Sequence, residues 1–377
     1  MLEYNLTTIL EQLEGQLDLN HAREVERLHL DAIHFRRVSR IPLSVEYPAD
    51  PGFPRLPFRE VFRNPEKMLY NELVTIKNNI WNSIQIRDDF PLQIRPNYGI
   101  GLISSLFGAQ IRVDDWNAPW VLHMEEEKAF RDAVSHGVPD LKGGLFERVL
   151  ETYEVFTQLL QPYPKCAEAI RLTQPDMQGP FCNLQLIRGD QLFYDLYDDP
   201  DMIHEALDVI TDTMIACQQA LPTLNDKAGE EAHYILFGIY RGGFLIKLDT
   251  ETATISEDMY EEFCAPYNQK LLKAAGGGAA HFCGGGKSWP ARRLPDHDIY
   301  TLNFGNPEMQ DLLVDWADAR TKKISAAAYG WGQPYSFLRR KMEQGLCDGV
   351  TFLTRAESRE EAKQILNAHR EWCAANL

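Results

Sequence analysis

The chain has 377 residues, of which 44% are hydrophobic and 11% aromatic, and its formal net charge is −17. The length permits two ordinary domains or one large α/β barrel, and the composition excludes a disordered chain. The charge argues against nucleic acid or an anionic membrane as partner, because phosphate would repel it.

The opening MLEYNLTTILEQLEGQ has no basic head and no long apolar run, so no secretion signal is expected. Residues 19–38 are charged, with apolar residues at helical spacing, which makes 1–39 a helical N-terminal segment. The first strand-like run is 40–46, Arg40-Ile-Pro-Leu-Ser-Val-Glu46. Similar runs follow at 92–97, 169–174, 243–248, 278–283, 300–304, 323–327 and 350–353, giving eight candidate strands. Between the second and third lies a long insertion, 99–168, with its own apolar run at 120–123.

Helical patterns separate the later runs. Over 201–219 the residues Ile203, Leu207, Ile210, Met214 and Cys217 share one face, with Asp199 as N-cap and Pro200 at the first helical position. Ser256 precedes Glu257 and Asp258, acidic residues suited to a positive helix end. Ser358 with Glu361 forms a capping-box pattern. No run of about 18 apolar residues is present, so no membrane-crossing helix is expected. No repeat or flexible linker divides the chain, so 1–377 reads as one domain.

Strands alternating with helices imply parallel pairing, and eight such units predict a (β/α)8 TIM barrel, with a doubly wound sheet as the alternative. In a barrel, chemistry sits where strands end. The informative positions are then Glu46 to Asp50, Asn97 to Gly99, Asp176 to Cys182, Asp249 to Thr254, His281 to Gly286, Asn303 to Asn306, and Tyr329 to Trp331. The insertion is expected to decorate that mouth.

One stretch, AAHFCGGGKS at 279–288, concentrates chemistry. Gly286-Lys287-Ser288 ends like a phosphate loop, but the leading glycine of that motif would fall at His281, so the motif is broken. His281 and Cys283 are two apart at a strand end and point to the same side. Imidazole and thiolate together suit zinc, which needs about three protein ligands if catalytic. An isolated pair of this kind is more often two packed side chains, and spacing leaves both readings open. The seven cysteines are odd in number and scattered, which suits a reducing cytoplasm better than a disulfide framework.

Several stretches in order resemble the uroporphyrinogen decarboxylase superfamily, a barrel family that includes methylcobalamin:thiol methyltransferases. They are Arg40-Ile-Pro42, Tyr98-Gly99 through Leu106-Phe107-Gly108, and Gln178-Gly-Pro-Phe181 with Arg188-Gly189. Then come Asp249 before Ile255-Ser-Glu-Asp-Met-Tyr-Glu-Glu-Phe263, Ala265-Pro-Tyr267, and His281-Phe-Cys283-Gly284. The resemblance covers most of the chain from about residue 20. In the methyltransferase branch, H-x-C-G supplies two zinc ligands. That branch takes its third from a cysteine after the last strand, where this chain has Thr354-Arg355-Ala356-Glu357. Cys347 precedes that strand and is kept as a candidate third ligand, beside Glu46, Asp176, Cys182 and Glu357. The decarboxylase branch fits less well, because Glu46 and Asp50 would repel a substrate with many carboxylates.

The resemblance therefore implies zinc on His281 and Cys283, and a substrate thiol made a thiolate by coordination. The methyl donor would be methylcobalamin on a separate corrinoid protein, since no cobalamin-binding D-x-H-x-x-G motif is present. Asp249 and His281 are the expected catalytic residues. Glu46, Tyr98, Gln178 and Tyr329 are the expected substrate contacts, with Phe181, Phe282 and Trp331 as further aromatic walls. Two alternatives stand beside this reading. One is a metal-free, decarboxylase-like enzyme acting on a carboxylated or tetrapyrrole-like molecule. The other is a barrel that binds a small ligand without turnover. A homodimer stays open, and an apolar surface patch would point to one.

Overall fold

The computed structural model describes residues 4–75, 79–222, 224, 226–229, 231–285 and 298–377. Lys287 and Ser288, the tail of the broken phosphate-loop pattern, lie outside them. Thirteen strands are present among the described residues: β1 (Leu43–Glu46), β2 (Gln93–Ile94), β3 (Gln110–Arg112), β4 (Trp120–Leu122), β5 (Arg171–Leu172), β6 (Lys227–Gly229), β7 (Ala232–Ile235), β8 (Gly238–Arg241), β9 (Phe244–Lys247), β10 (Gly278–Phe282), β11 (Ile299–Phe304), β12 (Ser325–Tyr329) and β13 (Val350–Arg355).

All eight expected strand runs contain a strand. Six of them form one parallel sheet in the order β1-β13-β12-β11-β10-β9, and β2 pairs with β5, also in parallel. Where a closed barrel would have β1 beside β2 and β5 beside β9, no strand ladder forms among the described residues. Side chains bridge these gaps. Leu43 N–H donates to Asp89 Oδ2 at 3.1 Å, and Val45 N–H donates to Asp88 Oδ2 at 2.8 Å. Gln174 Nε2 donates to the Gly243 carbonyl at 2.6 Å. On this edge of β1 two N–H groups are thus satisfied by buried carboxylates, and the Leu43 carbonyl by the Asp89 N–H at 3.0 Å.

The caps follow the sequence. Asp199 accepts from Met202 N–H ahead of helix Pro200–Ala220, Ser256 accepts from Met259 N–H, and Ser358 accepts from Glu361 N–H. The N-terminal segment is two helices, Leu6–Gln16 and Leu19–Ile33. The insertion holds the antiparallel pair β3–β4 and helices including Phe146–Leu160. It packs on the end of helix Pro180–Arg188, where Met124 N–H donates to the Ile187 carbonyl at 2.7 Å. No helix is long and apolar enough to cross a membrane among the described residues.

One buried histidine makes the fold acid-sensitive. His29 Nε2–H donates to the Asp89 carbonyl at 2.7 Å, and its Nδ1 has no partner. Burial pushes the imidazole down from 6.5 to about 4, against the raising pull of Asp89. The folded value lies below the unfolded one, so stability present above about pH 6.5 is lost as pH falls toward 4. The full effect is on the order of 3 kcal/mol. Urea unfolding at pH 7 and pH 4.5 checks it, and a His29→Gln variant is expected to lose less stability between those two values.

Candidate metal centre

Register places the site. On the central strands Lys247 pairs with His281, and His281 pairs with Asn303. One step of two residues below are Leu245, Ala279 and Thr301, also paired in register. Residues two apart share a face, so a polar layer of Lys247, His281 and Asn303 stands above a smaller, more apolar one. Arg95, two past Gln93 on β2, and Asp176, beyond the end of β5, join the polar layer: Lys247 Nζ lies 2.6 Å and Arg95 Nη2 3.6 Å from Asp176 Oδ2.

Past the strand ends the same register carries Asp249 to the side of Cys283. Cys283 N–H donates to Asp249 Oδ1 at 2.6 Å. His281 Nε2 lies 3.6 Å from Cys283 Sγ and 3.8 Å from Asp249 Oδ1. One ligand atom from each of the three lies within 4.8 Å of the others. His281 is buried, Asp249 half-buried and Cys283 exposed, so the group opens on one side.

The protonation of His281 follows from its neighbour. Asn303 Nδ2 donates to the Ala327 carbonyl at 2.8 Å, which leaves Asn303 Oδ1 facing His281 Nδ1 at 2.5 Å. An oxygen there accepts, so Nδ1 carries the proton and Nε2 presents a lone pair to Cys283 and Asp249. Burial lowers the imidazole below its ordinary value, outweighing the opposite pull of Asp249 and Asn303, so the ring is a neutral ligand. Burial, and then Asp249, push the Cys283 thiol up to about 11. A cation between these groups would reverse that and hold the thiolate.

The residues fit zinc on these observations. Tetrahedral zinc with ordinary bond lengths sets nitrogen and sulfur ligands about 3.6 Å apart, and the His281–Cys283 spacing is 3.6 Å. The backbone keeps the thiol in place: a Cβ at Gly305 would lie 2.4 Å from Cys283 Sγ, so only glycine fits there. Asn303 supplies the outer hydrogen bond that ligating histidines need. Asn303→Leu is expected to weaken zinc binding about 10–100-fold without unfolding the chain, which competition with a chromophoric chelator would measure. Unchanged affinity would mean that the Asn303 contact does not orient the ring.

The other expected site residues are scattered. Gln178 is buried and orients Asp176, its Nε2 donating to Asp176 Oδ1 at 2.6 Å. Burial alone would raise Asp176, but Lys247 and Arg95 outweigh it and hold the carboxyl at about 2. Asp176 is therefore an ion-pair partner, outside the His281 group. Glu46 sits half-buried at the end of β1, paired in register with Arg355. Tyr98 is buried, bonds Thr152 at 2.8 Å and meets the Phe62 ring, so it packs against the insertion. Cys182 is buried, with its thiol on the Lys247 carbonyl and Glu251. Cys347 points at the Met342 carbonyl ahead of β13, and Glu357 is exposed with its N–H on Glu361. Among the described residues neither belongs to the cluster around His281.

Tyr329 is the instructive case. Simple alternation puts it on the same face as Ala327. The β12–β13 register slips between Ala326 and Tyr329, with Ala328 at φ +51°. That bulge turns Tyr329 to the outer face, where its hydroxyl donates to the Gln310 carbonyl at 2.9 Å and its ring meets Phe304 and Phe337. Phe282 lies on the same outer side, against Phe304 and Trp316. Phe181 is fully buried in the main core. Lys247 and Arg95 were not among the expected residues. The signal for Lys247 was its position two before Asp249 on a strand.

No family model matches the chain, and no curated protein matches it. Among solved structures it is similar to a methyltransferase from Methanosarcina mazei, with a TM-score of 0.63 over 92% of this chain and 98% of that one. Sequence identity is 16%, so the likeness is one of fold.

Proposed function

We propose that the chain is a zinc-dependent enzyme of the uroporphyrinogen decarboxylase superfamily, built on a (β/α)8 barrel, that transfers a methyl group to a thiol. The observation that carries this is the convergence of Asp249, His281 and Cys283, with Asn303 fixing the His281 tautomer. The methyltransferase name of the structural neighbour supports it at the level of fold. The third ligand is Asp249 and not Cys347.

When bound, zinc would supply a Lewis acid that keeps the acceptor sulfur deprotonated at neutral pH. His281 is held rigid by Asn303, and Cys283 by Asp249 and the close approach of Gly305. The Lys247–Asp176–Arg95 ion pairs line the same layer and keep it polar, with one positive charge more than negative. The enclosing strands exclude water and align the acceptor with its donor. The sulfur forms a bond to the methyl carbon as the donor's bond to that carbon breaks, and the electron pair leaves with the donor. The donor in this reading is a methylated corrinoid on a partner protein, and the acceptor is a small cytoplasmic thiol.

The test is loss of methylcobalamin absorbance in the presence of 2-mercaptoethanol and zinc-loaded protein. The wild type is expected to exceed a Cys283→Ser variant by at least about 100-fold, the scale of a lost activating group. A folded, zinc-loaded wild type no faster than that variant would sink the proposal.

A further inference from the structure

The antiparallel pair β7–β8 runs along the inner side of the strands. Its root lies at their starts: Arg241 N–H donates to Thr301 Oγ1 at 3.1 Å, and Gly243 N–H to the Gly277 carbonyl at 2.8 Å. Higher up, Ile235 and Tyr240 pack with Leu245, Ala279 and Ala327 from three different strands. On the other side Gln93 Nε2 donates to the Gly238 carbonyl at 3.1 Å. The hairpin therefore touches both the six-stranded sheet and the β2–β5 pair. Alanines at 279 and 327 leave it room.

Its tip rises to the level of the polar layer. Gly238 sits against Ala327, which continues the register of Asn303, and against Gln93, two before Arg95. Beyond it the turn residues are Leu236 and Phe237, both half-buried. The Phe237 ring lies 6.4 Å from that of Trp331, in the loop after β12. The hairpin thus spans the strands from their starts to their ends and brings two apolar side chains to the level of the metal centre.

The turn is made of the wrong residues for its shape. Ile235 pairs with Gly238 across two residues, and Leu236 and Phe237 have φ of +31° and +66°. Two-residue turns with positive φ at both positions favour Asn-Gly. Bulky residues there are strained, and such strain concentrates at functional sites. Lys247 and Arg95 share the single carboxylate of Asp176, so these three groups carry a net positive charge. The apolar side chains that reach this level are those of the turn and Trp331.

We propose that Leu236, Phe237 and Trp331 form an apolar platform that seats the hydrocarbon body of the thiol substrate and sets specificity for it. This rests on the thiol-acceptor reading above. The preferred acceptor is accordingly a thiol with an apolar, ring-sized group.

The test titrates zinc-loaded protein by calorimetry with 2-phenylethanethiol, 2-mercaptoethanol and 2-phenylethanol. The wild type is expected to prefer the phenyl thiol over the hydroxy thiol by at least about tenfold, the scale of burying a ring. In the Leu236→Asn/Phe237→Gly double variant that preference is expected to fall below about threefold. The variant should keep its zinc, and its Tm should equal or exceed that of the wild type because the turn is relaxed. Trp331→Leu, a loop substitution on the far side of the platform, should lower the preference in the same direction and serves if the double variant does not fold. The absence of a preference in the wild type, or its survival in both variants, overturns the proposal. If the thiols bind without metal involvement, the methyl-transfer reading fails alone: 2-phenylethanol, which has no thiol, still separates wild type from variants if the platform is real.

Discussion

Protein carrying His281→Ala, purified without chelator, is expected to hold almost no zinc, and the wild type about one per chain. His281 is the one buried member of the group, and its ring is oriented by a hydrogen bond from Nδ1 to Asn303. Removing it leaves a carboxylate and a thiol at the open side. Two ligands of that kind do not make a tight zinc site, and burial with Asp249 nearby pushes the remaining thiol up to about 11. The loss of methyl transfer should be as complete as the loss of metal. Metal analysis alongside circular dichroism decides the matter. Zinc retained at wild-type level in folded His281→Ala protein would show that the ion sits elsewhere.

The second large effect is on stability. Asp89→Ala is expected to destabilise the chain by about 3–5 kcal/mol, because it strands a paired charge. The Asp89 side chain is 1% exposed and receives Arg40 Nη2 at 2.7 Å, Arg40 Nε at 3.1 Å and Leu43 N–H at 3.1 Å. The alanine variant leaves the largely buried Arg40 guanidinium with Glu24 at 2.8 Å but without its buried partner, and leaves a buried strand N–H without its acceptor. For a chain of this size the loss corresponds to roughly 5 °C in Tm. Asp89→Asn keeps an acceptor and should lose less. A Tm within about 1 °C of wild type for Asp89→Ala would mean that water replaces the carboxylate.

The strands were legible because each is a short apolar run between turn residues, and the caps because Asp199, Ser256 and Ser358 sit where a helix needs an acceptor. Their grouping into six and two was not legible, since aspartate and glutamine side chains, which leave no periodic signal, stand in for two ladders. The His281–Cys283 pair was legible from its spacing. Asp249 was singled out, but its place beside Cys283 depends on the β9–β10 register, which no local pattern encodes. Tyr329 was misplaced for the same kind of reason: one bulge residue, Ala328, reverses the alternation. The hairpin β7–β8 was missed altogether. Its turn is Leu-Phe, and the rule that finds hairpins looks for Asn-Gly.

The pairing of β1 with β13 has a consequence for how the protein is made. Among the described residues Leu43 to Glu46 have their only ladder partner in Phe352 to Arg355, and His369 in the helix beyond bonds the Ile41 carbonyl at 2.7 Å. On the ribosome the first strand of the sheet must therefore wait, unpaired, until residue 355 has emerged. For that whole interval it is a bare edge, open to any passing strand. The carboxylates of Asp88 and Asp89 are synthesised soon after it. They accept from Leu43 and Val45 N–H, on the edge away from β13, so the edge that waits for β13 has no such cover.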